Sequence, residues 1–140
     1  MDNLIKYKVS LRIQGDELDP SEITEMLCIT PDKAHKKGDS NTAISKKGKL
    51  IEFAPFKSGL WSINSKELDH MSLEQHIKSL LSLLYPLKNK FIELSDRGYE
   101  MDLFCGAFIH EVDQPGFSIG SDVLLKLGEM SIAIGICVYS

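Results

Sequence analysis

IKYKVSLRIQ, residues 5–14, alternates apolar and polar side chains from end to end. Every odd position from Ile5 to Ile13 is apolar, and every even position from Lys6 to Gln14 is polar or charged. A period of two predicts a β-strand that buries one face in the core and turns the other toward water. We therefore expect a sheet that is covered on one face.

Helix signals follow this strand. In LDPSEITEML, Asp19 can cap a helix and Pro20 suits its first position. Later in the chain, Ser72 and Gln75 form a capping box before a leucine-rich segment that Pro86 interrupts. The spacing predicts a short helix after the first strand and one long helix that is broken at the proline.

Two more segments alternate with a period of two, residues 101–109 and residues 130–138. Each has one strongly apolar face and a second face of small and aromatic residues, which predicts two strands in the centre of the sheet. SDVLLKLG, residues 121–128, predicts a short helix between them, with Ser121 as its cap and Gly128 as its stop.

Residues 31–58 have a different character, because glycines, short polar stretches and seven lysines dominate them. We interpret this region as a lysine-rich loop. Two short apolar runs, LIEF at residues 50–53 and LWSI at residues 60–63, predict a hairpin whose turn lies in APFKSG, residues 54–59.

These elements predict one domain over residues 1–140. Few strands, helices of unequal length and no regular βα alternation favour an α+β fold. We expect a two-layer sandwich, in which a mainly antiparallel sheet carries helices on one face. Within this class we favour a ferredoxin-like or related split topology.

The composition, 43% hydrophobic and 26% charged, is that of a globular protein and excludes disordered classes. A net charge of −4 is the wrong sign for a domain that neutralises nucleic-acid phosphates over its whole surface. No apolar run approaches the ~18 residues that span a bilayer, and the N-terminus lacks a signal-peptide pattern. We therefore expect a cytoplasmic protein that binds neither nucleic acid nor membrane.

Three short motifs resemble one family. They are a P-x-x-I-x-x-x-L helix that starts at Pro20, a T-P loop that runs on to K-K-G-D at residues 36–39, and a G-x-W strand at residues 59–61. Together with the N-terminal strand and the leucine-rich helix, they make the chain similar to a bacterial family catalogued as domain of unknown function 4279. The resemblance covers nearly the whole chain and implies a compact α+β domain. It implies no catalytic residues, because that family has no agreed activity.

The motifs supply no complete catalytic or metal site. GFSIG, residues 116–120, matches a nucleophile elbow with Ser118 in the nucleophile place, but no histidine follows it as a hydrolase triad requires. The histidines show no metal-ligand spacing, and His70 with His76 would need a distant ligand such as Asp102 or His110. The three cysteines lie in apolar runs as core thiols. We expect a protein that is not an enzyme and uses no metal or cofactor.

Charge is distributed unevenly along the chain. Residues 33–57 carry seven lysines against two acids, a net +5, whereas residues 93–140 carry eight acids against two basic residues, a net −6. A lysine-rich loop that contains glycine can bind a phosphate or an acidic partner. The alternative is a solvated flexible loop. The candidate ligand site comprises Lys36, Lys37, Gly38 and, as an aromatic wall, Trp61.

The second face of the two later strands is a candidate interface. Phe104 and Phe108 alternate with small residues on one strand, and Tyr139 ends the other. If helices cover the opposite face, these rings either form the contact of a symmetric homodimer or pack under residues 50–63 of the same chain. The sequence leaves both alternatives open.

We expect a non-enzymatic interaction module whose partner is another protein, for example a toxin that it neutralises as an immunity protein does. The expectation rests on the lack of a complete catalytic, metal or cofactor motif. The alternative is a small-molecule or anion-binding domain that uses the lysine-rich loop. A hydrolase that uses Ser118, or a pair of a histidine and an acid, ranks third.

Ser118→Ala should leave any ester hydrolysis by the purified protein unchanged, because no downstream histidine can activate the hydroxyl. A panel of ester substrates, assayed with wild type and variant side by side, measures this. A turnover that wild type shows and the variant loses would contradict the prediction.

Overall fold

The computed structural model describes residues 5–66, 71–109 and 116–139. The strands are β1 (Ile5–Gly15), β2 (Lys33–His35), β3 (Asn41–Ile44), β4 (Leu50–Phe53), β5 (Gly59–Asn64), β6 (Glu100–Ile109) and β7 (Ala133–Tyr139). The helices are α1 (Pro20–Leu27), α2 (Leu73–Leu84), α3 (Lys88–Asp96) and α4 (Ser121–Glu129). A short 3₁₀ turn, Tyr85–Leu87, joins α2 to α3. In these ranges we find no helix with the length and apolar character that a membrane span requires.

Five strands form the main sheet in the order β2-β5-β1-β6-β7, and β3 pairs with β4 in a separate two-stranded sheet. Neighbours in the main sheet are antiparallel except β6 and β7, which are parallel and are connected through α4. The predicted two-layer α+β sandwich with a mainly antiparallel sheet is confirmed. The finer expectation of a ferredoxin-like or related split topology stays a prediction.

The alternation of β1 sets the position of the core. Val9, Leu11 and Ile13 are buried in a single apolar cluster that also contains the inward stripes of α1, α2, α3 and α4. Trp61 of β5 joins the same cluster. The intervening side chains of β1, among them Arg12, face away from it and remain partly exposed. We call that side of the main sheet, opposite the helices, the outer face.

The predicted capping and breaking signals of the long helix act as expected. Ser72 Oγ accepts the N–H of Gln75 over 3.1 Å, and Gln75 Oε1 accepts the N–H of Ser72 over 2.7 Å. Pro86 lies in the 3₁₀ turn that separates α2 from α3. The glycine after α3, Gly98, adopts φ +90°, a left-handed conformation that ends a helix.

The predicted hairpin of residues 50–53 with residues 60–63 is wrong. β4 pairs with β3, whereas β5 lies in the main sheet between β2 and β1. Burial explains the difference, because Trp61 of β5 faces the core opposite Ile13. All four residues of β4 are exposed, so β4 contributes nothing to that core.

Two smaller predictions also fail. β7 is an edge strand rather than a central one, because alternation reports which face of a strand is apolar and not how many neighbours the strand has. The N-cap of α4 is Gly120 rather than Ser121, and the helix continues past Gly128. The left-handed residue that follows this helix is Ser131, with φ +59°.

Trp61→Ala should lower the free energy of unfolding by about 3–5 kcal/mol. The ring is 0% exposed, and its Nε1 donates a 3.0 Å hydrogen bond to Thr24 Oγ1. Urea denaturation followed by circular dichroism measures the loss. Phe53→Ala, which truncates an exposed ring of β4, is the matched control and should cost less than about 1 kcal/mol. Equal unfolding midpoints for Trp61→Ala and wild type would show that Trp61 is not a packing residue.

Candidate functional site

The candidate ligand loop is a tight turn at the end of β2. Gly38 has φ +87°, and its N–H donates to the carbonyl oxygen of Phe56 over 2.8 Å. Asp39 Oδ2 accepts the N–H of Lys36 over 2.8 Å. These two backbone donors are therefore used within the chain rather than offered to an anion.

The two lysines of this turn both lie near carboxylates. Lys36 Nζ is 3.9 Å from Asp19 Oδ1, and Lys37 Nζ is 3.6 Å from Asp16 Oδ2. Exposed pairs of this kind are weak, but they offset part of the positive charge that an anion would need. Trp61 is buried in the core and offers no ring surface to solvent. The structure therefore brings the three turn residues together without the aromatic wall, and anion binding by them stays a prediction.

A hairpin stands apart from the main sheet. Residues 41–53, which we call the hairpin arm, consist of β3, a five-residue turn and β4, and the two strands pair with each other. Ile44 lies opposite Leu50, and these side chains are 75% and 57% exposed. Ile51 and Phe53 are exposed as well. The arm thus presents several large apolar side chains to solvent.

Local hydrogen bonds shape the turn at the tip of the arm. Ser45 N–H donates to the carbonyl oxygen of Lys49 over 2.8 Å, and Gly48 N–H donates to that of Ser45 over 2.9 Å. Gly48 has φ +78°, a conformation that glycine adopts without a steric cost. The geometry of the turn leaves its lysine side chains exposed.

The tip of the arm carries uncompensated positive charge. Lys46, Lys47 and Lys49 have no carboxylate within 4.0 Å in the part of the chain that the structure describes. Glu52 is the single acidic residue of the arm sequence. In this respect the tip differs from the turn at residues 36–39. Positive charge and exposed apolar surface therefore meet on one small element.

The rings of His35 and Phe56 stack on each other where the arm joins the main sheet. Their rings stack with centroids 3.5 Å apart and an interplanar angle of 11°. Burial lowers the pKa of His35, and the nearby charge of Lys33 lowers it further. Burial thus favours the neutral imidazole, which can stack on a hydrophobic ring without a buried charge.

Arg12 and Asp102 form a bidentate pair on the outer face. Arg12 Nε donates to Oδ1 over 2.9 Å, and Nη2 donates to Oδ2 over 2.6 Å. The guanidinium also lies 4.6 Å from the centroid of the Phe104 ring. The hydrogen bond to Asp102 raises the pKa of Arg12. Both charges are satisfied within the chain, so the pair orders β1 against β6 and is a poor ligand site.

The three predicted interface residues share the outer face. Phe108 of β6 lies opposite Tyr139 of β7, and their rings stack with centroids 4.8 Å apart. Phe104 is half-buried farther along the same face. The alternative in which residues 50–63 cover this face is wrong, because β4 belongs to the arm and β5 is itself a strand of the sheet. The stacked pair is accordingly exposed.

A shallow groove of about 360 Å³ lies at the opposite end of the outer face. Its lining includes Gln14, Tyr99, Glu100, Asp102 and Ala133. Asp102 is already paired, whereas the Glu100 side chain is exposed. The groove therefore suits a side chain that has an apolar body and a hydrogen-bond donor at its end.

The nucleophilic groups of the core are in packing positions. Ser65 Oγ lies 2.9 Å from His76 Nδ1, and both residues are buried. Burial raises the pKa of Cys105 to about 11, so its thiol is protonated and unreactive at neutral pH. Ser118 is exposed in the segment before α4, where Glu74 accepts the N–H of Gly120.

The described ranges contain no group of three or more His, Cys, Asp or Glu side chains that could hold a metal ion. His70 and His110 lie outside the described residues. A metal site that would use them with His76 stays a hypothesis, and the expectation that the protein is not an enzyme stays a prediction.

Sequence reasoning missed the hairpin arm. A signal was present, because SKKGK stands between the short runs NTAI and LIEF, and a glycine-containing turn between two such runs favours a hairpin. The prediction paired LIEF with the wrong run instead, since the apolar residues of β5 form the stronger strand pattern.

Comparison with known proteins gives a family and no closer relative. A family model described as Domain of unknown function (DUF4279) matches residues 5–140. Neither a curated protein nor a solved structure matches the chain. Because the family model covers nearly the whole sequence, the chain belongs to the DUF4279 family.

Proposed function

We propose that this protein is an interaction domain that binds an acidic protein partner through its hairpin arm. The observation that carries the proposal is the arm itself, where exposed apolar side chains adjoin three lysines that lack a nearby carboxylate among the described residues. The binding of a protein, rather than catalysis, is the activity that this surface supports best.

The apolar stem of the arm supplies a source of affinity. An isolated two-stranded hairpin is marginally stable in water, so a pair of strands with no core beneath it gains much from a partner surface. Ile44 and Leu50 are adjacent on one side of the arm. Full burial of such a side chain contributes about 1.5–3 kcal/mol.

The lysines of the tip favour acidic partners and raise the rate of association. Lys46, Lys47 and Lys49 are exposed and close together in sequence. Such a cluster attracts an acidic surface over a distance of about one Debye length and raises the association rate. It also disfavours basic partners, because like charges would face each other at the contact.

A toxin that this domain neutralises is the finer form of the proposal, which then makes the protein an immunity protein of the bacterial cytoplasm. An immunity protein must block its toxin before the toxin acts, and electrostatic steering favours such rapid capture. The anion-binding alternative at Lys36, Lys37 and Gly38 has less support, because both ammonium groups lie within 4.0 Å of a carboxylate.

The double variant Lys46→Gln/Lys47→Gln should weaken binding to the partner by about tenfold or more and reduce its salt dependence. The partner is first captured from the native host with wild type and identified by mass spectrometry. The affinity of the purified pair is then measured by calorimetry at low and high salt.

Lys66→Gln/Lys90→Gln is the matched control, because it removes the same charge from exposed positions outside the arm. It should bind like wild type, and Lys36→Gln/Lys37→Gln should show a smaller loss than the tip variant. Equal affinity and salt slope for all three variants would exclude the arm as the contact. Binding of the arm to anionic vesicles or to nucleic acid, with no protein partner, would also contradict the proposal.

A further inference from the structure

We propose that β7 pairs in antiparallel register with β7 of a second copy of this chain, so that the two main sheets join edge to edge in a homodimer. This contact is independent of the hairpin arm. The proposal rests on four features of β7, which are its exposed edge, its uncharged sequence, the pattern of its side chains and the groove beside its first residue.

The two edges of the main sheet differ in their protection. β2, at one edge, has three residues, and Lys33 is among them. β7, at the other edge, has seven residues, AIGICVY, without a charge or a proline. Natural proteins protect long edge strands with charge, proline or a cover, because an open edge recruits another strand. β7 has neither a charged residue nor a proline, as expected of an edge that pairs with another strand in the assembled protein.

Apolar side chains flank this open edge on both faces. On the helix side, Ile136 and Val138 are 39% and 55% exposed, although the equivalent positions of β6 are buried. On the outer face, Tyr139 is 43% exposed. A second strand laid along β7 would cover all three and satisfy the outward backbone groups of the edge.

A two-fold axis at Ile136 gives complementary side-chain sizes. The strand runs from Ala133 to Tyr139, so Ile136 is its centre and full overlap places the axis there. Tyr139 then lies opposite Ala133 of the partner subunit, and Cys137 lies opposite Gly135 of the partner subunit. No heavy atom lies within 4 Å of the position of a Cβ on Gly135, so that position has room for a facing side chain.

The groove on the outer face lies where this register brings the ring of the partner. Ala133 forms part of its lining, and Glu100 stands exposed at the same end. In the dimer, Tyr139 of the partner subunit, whose ring stays stacked on the partner's Phe108, lies beside Ala133 at the rim of the groove.

The fit of β7 to itself favours a second copy as the occupant. Across the two-fold axis, Tyr139 meets the small Ala133 of the partner subunit, and Cys137 meets Gly135 of the partner subunit, where the position of a Cβ has no heavy atom within 4 Å. The other edge strand of each copy is β2, which takes no part in this contact. Pairing through β7 therefore uses one edge of each copy and stops at a dimer.

Sedimentation or light scattering across a concentration series tests the dimer. Wild type should reach twice the 15.7 kDa of one chain. Ile136→Lys places two ammonium groups opposite each other and should raise the dimer dissociation constant by about tenfold or more. Leu125→Lys, which adds the same charge at a 64% exposed leucine of α4, is the control and should remain dimeric.

Tyr139→Ala provides a second variant in case Ile136→Lys fails to fold, and it should also weaken the dimer because it removes the ring that meets Ala133 of the partner subunit across the axis. Wild type that stays monomeric at every accessible concentration would overturn the proposal. A dimer that resists both β7 variants, or that Leu125→Lys dissociates equally, would overturn it as well.

Disulfide trapping tests the register. In a Cys28→Ser background, Gly135→Cys should form a reducible dimer on mild oxidation, because residue 135 faces the native Cys137 of the partner subunit. The same background without Gly135→Cys should not cross-link. Cross-linking through Cys137 alone would place the axis at residue 137 and overturn this register, and no cross-link in a dimeric Gly135→Cys protein would do the same.

Discussion

The structure depends on the strict alternation of β1, the strand at the centre of the main sheet. Val9, Leu11 and Ile13 must leave water, and the helices that bury them occupy one side of the sheet. Arg12 and its outward neighbours on β1 require solvent or polar partners, so no second helical layer can cover the outer face. The open outer face of the sheet is a consequence of this one-sided strand.

Those elements whose signals are local could be predicted from the sequence. The capping box at Ser72 and the break at Pro86 act through neighbours within one helical turn, and both are confirmed. The partners of β4 and β5 could not be predicted, because strand pairing is decided by which run can bury its side chains in the core. For β5, the burial of Trp61 in the core decides the pairing. The hydrogen bond from Trp61 to Thr24 joins segments that are distant in sequence.

The candidate surfaces also divide into features that local sequence predicts and features that depend on how the chain folds. Alternation alone places Phe104 and Phe108 on one face, and the pairing of β6 with β7 then brings Tyr139 to it. The charge of the lysine-rich region was visible, but its distribution was not, because the acids that face Lys36 and Lys37 belong to the segment before α1. Folding therefore offsets the charge of Lys36 and Lys37, whereas the three lysines at the tip of the arm have no carboxylate within 4.0 Å among the described residues.

The strands of the hairpin arm lie outside the buried core of the sandwich. We therefore expect the arm to open independently of the sandwich. Native-state hydrogen exchange of the free protein measures this, because it gives the opening free energy of each segment. Amides of β1 and β6 should exchange only through global unfolding, whereas the paired amides of β3 and β4 should exchange far faster through local opening. Protection of β3 and β4 equal to that of β1 would show instead that the arm unfolds only together with the core.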